Sequence, residues 1–277
     1  MTRLIIVPIT LGTHRESFDI FLGGDLHYND PGCDVDSFLR WCDAVVENGE
    51  NDRKTYNALM GDYCTVFPSG DRRRLPKSEM GDPLRLYSQV RDWIRPVART
   101  NVCTLTGNHD EDWWKSENID FVSWMCAELG LNYGNYEAIV RFKVEREGDN
   151  TGARNIDLVL WHGAGGGRTR GGTINAAARP LEMHRTADII AVGHSHRLGK
   201  INEQYVVPDE SIMDVRSVNQ FIVMTGGYQK GYLPDKSTYI SKLMLPPITI
   251  GGVKLVVQPF KQVSTKDVLD VTLHQIY

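Results

Sequence analysis

The stretch NVCTLTGNHD, residues 101–110, decides how this chain is read. It reads as a strand, and it ends in Asn108, His109 and Asp110 packed behind Gly107. An amide, an imidazole and a carboxylate are poor choices for an ordinary strand end. Two explanations are open: a turn, or a metal site with a proton donor beside it. The other strand ends decide between them.

Working outward, SFDIFLGGDLHY alternates Phe18, Ile20 and Leu22 and then breaks at Gly23-Gly24, as a strand ending near Asp25 would. Val35, Phe38, Leu39, Cys42, Val45 and Val46 recur at helical spacing, with Gly49 read as the helix stop. TYNALMGD is a second strand ending in Gly-Asp, and a helix is expected over about 84–99. Residues 68–83 form a polar, Pro/Gly-bounded insertion, read as a surface loop. After a helix that carries Phe121, Val122, Met125, Cys126 and Leu129, the texture changes. EAIVRFKVE, NIDLVLWHG, ADIIAVGHSH, KINEQYVV, NQFIVMTGG and KLVVQPF all read as strands, with one short helix ending near Pro180. The order βαβαβα followed by a β-rich part predicts one α/β domain over 1–277, two packed sheets with helices outside.

Bulk properties narrow the class. With 277 residues, 41% of them hydrophobic, a sizeable core is within reach. A net charge of −4 argues against a protein that coats nucleic acid by overall positive charge. The five cysteines are odd in number, and no CxxC pair occurs, so reduced core thiols in a cytoplasmic protein are expected. MTRLIIVPIT is too short and too broken by Pro8 to read as a signal peptide. No apolar run approaches the ~20 residues that span a bilayer.

The polar residues at strand ends form an ordered set: Asp25 and His27, Asp62, Asn108 with His109 and Asp110, His162, then His194 and His196. Each of the five strand ends that deliver them carries glycine, in GGDLH, MGDY, TGNHD, WHGAGGG and VGHSH. In α/β sheets, ligand sites gather beyond the carboxyl ends of strands. The order D-x-H, GD, GNHD, H, GHxH resembles the signature of the calcineurin-like metallophosphoesterases, from Asp25 to His196. That resemblance implies a two-sheet sandwich flanked by helices in four layers, in agreement with the strand pattern. One departure is visible: many family members have GDxxD or GDxxN, whereas this chain has GDYCT, which puts Thr65 in the supporting position.

The resemblance also implies roles. Asp25, His27 and His196 would hold one metal, Asn108, His162 and His194 the other, and Asp62 would bridge them. A dinuclear centre needs an anionic bridge, and imidazoles with an amide oxygen complete the shells without accumulating negative charge. The absence of thiolate ligands points to two divalent transition-metal ions, manganese first, with iron or zinc as alternatives. Such a pair would activate a water as hydroxide to attack phosphorus in line. His109 would protonate the leaving oxygen as general acid, and Asp110 would orient His109. Asn108 would also touch substrate.

Weaker signals surround this set. In HGAGGGRTRGG, residues 162–172, six glycines surround Arg168 and Arg170, which are candidate phosphate contacts; without GK[S/T] this is not a P-loop. Arg72, Arg73 and Arg74 would form a rim for an anionic substrate, or a solvated loop. Trp113 and Trp114 are read as helix packing, with base stacking as the alternative. Tyr228 and Tyr232, in MTGGYQKGYLP, are candidate substrate contacts, whereas His14, His184 and His274 are structural or surface residues. The expected function is phosphodiester hydrolysis on a nucleotide or nucleic-acid-type substrate, with no membrane partner. The alternatives are a phosphomonoesterase, and an inactive scaffold on the same fold. Family resemblance alone fixes neither substrate nor oligomeric state.

Overall fold

The computed structural model describes residues 2–12, 16–51, 53–67, 81–148, 153–165, 169–210, 213–235, 238, 241, 244, 247–263 and 266–277. The candidate arginines Arg72, Arg73, Arg74 and Arg168, and also His14, lie outside them. Strand β2 (Phe18–Gly23) is buried along its whole length. A strand buried on both faces belongs to a sheet covered on both sides. Phe18, Ile20 and Leu22 point to one apolar core, and Phe21 points to another. The alternation in the sequence therefore divides two apolar layers rather than core from solvent.

Among the described residues the strands form two sheets. One has the order β11 (Lys266–Ile276), β10 (Gly252–Val263), β2, β3 (Thr55–Leu59) and β4 (Asn101–Thr104), in which β2, β3 and β4 run parallel. The other has the order β1 (Arg3–Leu11), β5 (Glu137–Arg146), β6 (Arg154–Trp161), β7 (Ile189–Val192), β9 (Asp214–Thr225) and β8 (Leu198–Asp209). Within it, β6, β7 and β9 run parallel.

Between the sheets, Phe18, Ile20, Leu255 and Val271 meet Val140, Phe142, Leu158 and Ala191. Outside the first sheet, α1 (Val35–Glu50), α2 (Pro83–Ile94) and α4 (Phe121–Leu129) bring Phe38, Trp41, Tyr87, Val90 and Met125 against Phe21 and Leu59. On the other flank, α5 (Arg170–Ala177) and α6 (Pro180–Met183) lie beside Val159, Ile190 and Ile222. The architecture is the expected two-sheet sandwich flanked by helices. No helix among the described residues is long and apolar enough to cross a membrane.

Several boundaries differ from the sequence reading. Helix α1 runs through Gly49 to Glu50 and is closed by Asn51, whose N–H donates to the Glu47 carbonyl. The helix expected over 84–99 tightens after Ile94 into a 3₁₀ turn, Arg95–Thr100, with Pro96 in its first turn. MTRLIIVPIT supplies β1, an edge strand in which Pro8 is tolerated because, among the described residues, one side of the strand has no neighbour. The C-terminal strand β11 also escaped the sequence reading. Asn108, His109 and Asp110 open a helix, α3 (Asn108–Glu117), instead of a loop.

One buried polar cluster ties the first sheet together. Asp19 on β2 is fully buried and accepts hydrogen bonds from Arg53 Nε at 2.5 Å and Asn48 Nδ2 at 2.9 Å, with Lys254 Nζ of β10 at 3.0 Å. Burial alone would raise its carboxyl, but the Arg53, Asn48 and Lys254 contacts outweigh this and hold it below the usual value of 3.8. A depressed carboxyl stabilises the fold above its unfolded-state value and loses that contribution as pH falls through the folded-state value. Asp19→Asn is therefore expected to lower unfolding free energy by about 2 kcal/mol at neutral pH, the scale of a charge-assisted hydrogen bond. In urea melts from pH 7 to pH 3, the gap between wild type and variant should close at the acid end.

Candidate metal centre

The parallel strands of both sheets deliver their carboxyl ends to one place. Asp25 and His27 follow β2, Asp62 follows β3, Asn108 follows β4, His162 follows β6, and His194 and His196 follow β7. Five of these seven residues hold left-handed backbone: Asp25, His27, Asp62, His194 and His196, with φ from 51° to 60°. Such conformations are uncommon for residues with a Cβ and cluster at functional sites. The two turns that carry Asp62 and Asn108 meet across glycines. A Cβ on Gly61 would lie 2.5 Å from Gly107 N, and a Cβ on Gly107 would lie 2.1 Å from Asp62 Oδ1.

Three sets of side chains offer ligand atoms within 4.8 Å of one another: Asp25, His27 and His196; Asp62, His162 and His194; and His27, Asp62 and His109. Asp62 Oδ2 is 3.3 Å from His162 Nε2 and 3.6 Å from His27 Nε2, so one carboxylate oxygen faces both halves of the cluster. His196 Nε2 is 3.4 Å from Asp25 Oδ1 and 3.1 Å from His27 Nε2. The Asn108 amide oxygen is 3.2 Å from His162 Nε2. Turned over, the amide would donate to His162 Nε2, His194 Nδ1 and Asp62 Oδ2. All three neighbours are therefore lone-pair bearers facing one point. With the oxygen inward, a cation at that point satisfies every one of them, which is the donor set a divalent transition metal requires.

An outer contact sets one ring tautomer: His162 Nδ1 lies 2.6 Å from the Met60 carbonyl, which only accepts, so an N–H there leaves the Nε2 lone pair inward, as a ligand needs. His27 Nδ1 lies 3.3 Å from Thr65 Oγ1, which can donate or accept and orients the ring. Thr65 thus supports a metal-candidate histidine from the position where the sequence departs from the family pattern. The electrostatics favour positive charge. Burial would lower His162, but Asp62 beside it, helped by Asp25, pushes it up to about 9. Burial resists ionisation of Asp62, yet His162 and the neighbouring histidines hold it well below the usual carboxylate range. Burial and the surrounding histidines hold His27 far down, and so neutral, despite the opposing pull of Asp62.

His109 and Asp110 part company. The His109 ring sits edge-on to His27, with centroids 4.9 Å apart, on the rim of the cluster. Asp110 turns the other way. Its carboxylate accepts from Asp62 N at 2.8 Å, Gly107 N at 2.9 Å, Tyr63 N at 3.4 Å and Tyr87 Oη at 2.5 Å. Among the described residues no hydrogen bond joins it to the His109 ring. The expectation that Asp110 orients His109 is corrected on this point, because helix geometry at α3 aims a third-position carboxylate back at the preceding turn. Burial and the nearby Asp62 push its carboxyl up to about 7.

Other expectations sort by burial. MTGGYQKG does border the cluster: a Cβ on Gly227 would lie 3.1 Å from Asp25 Cβ. Tyr228 is fully buried against Phe38, however, and cannot reach a substrate, while Tyr232 is exposed. Trp113 packs near Phe121, as read, and Trp114 is exposed. His184 pairs with Glu137 at 2.8 Å away from the cluster. Arg170 opens α5, which places its backbone a few residues past His162. Tyr87, at the far end of the Asp110 network, lies in no motif, and sequence reasoning missed it.

The left-handed backbone gives a stability test. An L-residue in this region is strained by roughly 1–2 kcal/mol, partly offset for glycine by its larger unfolded-state entropy. In the presence of chelator, His196→Gly is expected to be more stable than His196→Ala by about 1 kcal/mol in chemical denaturation.

No protein family's sequence model matches this chain, and no curated protein matches it. Solved structures with a similar course include Vps29 from Entamoeba histolytica complexed with zinc, 14% identical at a TM-score of 0.41, covering 94% of this chain and 100% of that one. A conserved uncharacterized protein of Streptococcus pneumoniae, described as a predicted phosphoesterase, is 10% identical at a TM-score of 0.34, covering 94% and 99%. GAP50, described as the anchor in the inner membrane complex of Plasmodium, is 12% identical at 0.38, covering 94% and 89%. At these identities and TM-scores the likenesses carry no argument about the chemistry of this chain, which rests on its own residues.

Proposed function

We propose that this chain is a metal-dependent phosphoesterase of the calcineurin-like type. Asp25, His27 and His196 would hold one divalent ion, Asn108, His162 and His194 would hold a second, and Asp62 would be shared. One observation carries the reading: Asp62 Oδ2 faces His162 Nε2 at 3.3 Å and His27 Nε2 at 3.6 Å, one oxygen addressed to both ligand sets. Bound there, two transition-metal ions would supply positive charge for a phosphate and a water acidified towards a pKa of ~7. Manganese is the proposed metal, with iron or zinc as alternatives.

The remaining work falls to the protein. The Met60 carbonyl keeps the His162 lone pair directed inward, and Thr65 holds the orientation of the His27 ring. His109, beside His27 on the rim, donates its proton to the leaving oxygen. The peptide N–H of His109 donates to Asp62 Oδ1 at 2.9 Å, so the acid and the shared ligand are held in one frame. His109→Ala is expected to retain metal content yet lose about 10²–10⁴-fold in kcat on substrates with poor leaving groups. The loss should shrink on nitrophenyl esters, which need little protonation. Equal losses on both, measured at one manganese concentration, would remove His109 from the acid role.

A diester preference is proposed for substrate class, on a nucleotide or nucleic-acid-type substrate. Its support is the run HGAGGGRTRGG after His162: a glycine-rich segment with Arg168 and Arg170 suits an extended substrate whose second ester arm must be admitted. Arg168→Ala should raise KM for a nucleotide diester more than for a small chromogenic diester. Faster hydrolysis of matched monoesters would favour the phosphomonoesterase alternative.

A further inference from the structure

Tyr87 belongs to none of the motifs, yet it reaches into the site's foundations. It lies on α2, is fully buried, and stacks on Phe121 with centroids 4.7 Å apart and planes 13° from parallel. Phenylalanine would fill that stack as well. A hydroxyl buried in an apolar layer is unfavourable unless it has a partner. The partner is Asp110 Oδ1, at 2.5 Å. The other oxygen, Oδ2, accepts from Asp62 N and Gly107 N at 2.8 and 2.9 Å. Apart from Tyr87, Oδ1 has only Tyr63 N, at 3.4 Å, among the described residues. Without the hydroxyl the carboxylate could rotate, and the N–H of Asp62 would lose its fixed acceptor.

We propose that Tyr87 is a positioning residue for the metal pair: its hydroxyl locks Asp110, and Asp110 locks the peptide of Asp62, the shared ligand. This rests on the reading of Asp62 given above. The chain of contacts runs Tyr87 Oη to Asp110, Asp110 to Asp62 N, and Asp62 Oδ1 to His109 N, which links a helix of the outer layer to the acid as well. Asp62 holds φ at 54°, a conformation that relaxes readily when its hydrogen bonds go. Removing an outer-shell partner of a metal ligand typically lowers affinity 10–100-fold.

The experiment compares full-length wild type, Tyr87→Phe and Phe121→Leu, each stripped with chelator and titrated with manganese alone. Tyr87→Phe is expected to weaken manganese affinity by about tenfold or more and to speed amide exchange across 61–63 in the metal-free chain. Its kcat should fall with little change in KM. Phe121→Leu, which disturbs the stack without touching the hydroxyl, should lower Tm and leave manganese affinity unchanged. Asp110→Asn keeps an oxygen for the Asp62 and Gly107 amides but loses the charge, and it should weaken affinity in the same direction. Wild-type affinity and exchange in Tyr87→Phe, or equal affinity losses in Tyr87→Phe and Phe121→Leu, would overturn the proposal. If wild type binds no manganese pair, the proposed function fails instead, while the exchange rates at 61–63 still report whether Tyr87 holds Asp62.

Discussion

The site depends on one close approach: the turn Gly61-Asp62 against the turn Gly107–Asp110. Adjacent parallel strands β3 and β4 bring the two turns side by side, and only glycine at 61 and 107 lets their backbones touch. Two carboxylates then stitch the turns together. Asp62 Oδ1 accepts from the His109 peptide, and Asp110 Oδ2 accepts from the Asp62 peptide. Each aspartate anchors the other's turn. The remaining oxygen of Asp62 is thereby directed at His27 and His162, and the two ligand sets, each drawn from both sheets, meet there.

This stitching explains how strained backbone persists. Five candidate ligands in left-handed conformation are unfavourable one by one. The surrounding structure over-determines them. Asp25 is fixed by Gly61 and by the His194 N–H, which donates to its carboxylate, and the His27 N–H donates to the Asp62 carbonyl. Buried sheet cores on both sides keep these turns from relaxing outward. The strain aims short side chains from separate strands at a common point, an arrangement that extended backbone would not give.

Much of this was legible in the sequence because it has a local signature. Glycine at each of the five strand ends marked the turns, and the β2 alternation of Phe18, Ile20 and Leu22 marked a sheet. What was not legible depends on partners far away in the chain. Gly49 looks like a helix stop, but α1 continues through it because its stop is set at Asn51. Pro8 looks like a break, but β1 is an edge strand among the described residues, where a missing N–H is tolerated. Tyr228 follows a glycine pair that does border the site, yet packing against Phe38 turns it into the core. Asp110 sits next to His109 in sequence, and that adjacency suggested a pair. Helix geometry sends the two side chains in different directions, and Tyr87, 23 residues earlier, is the true neighbour.

The charge arrangement supplies the last step. Asp25, Asp62 and Asp110 are buried within one cluster. Buried carboxylates demand compensation by hydrogen bonds or positive charge. Asp110 finds backbone N–H groups and a hydroxyl, but burial and the nearby Asp62 still push its carboxyl up. Asp62 lies at the positive N-terminal end of α3 and beside His162, which the carboxylates push up to about 9. The same carboxylate field that raises His162 would draw a divalent metal to the point that its Nε2 faces. The interior of this fold is arranged around positive charge that its own side chains supply only in part.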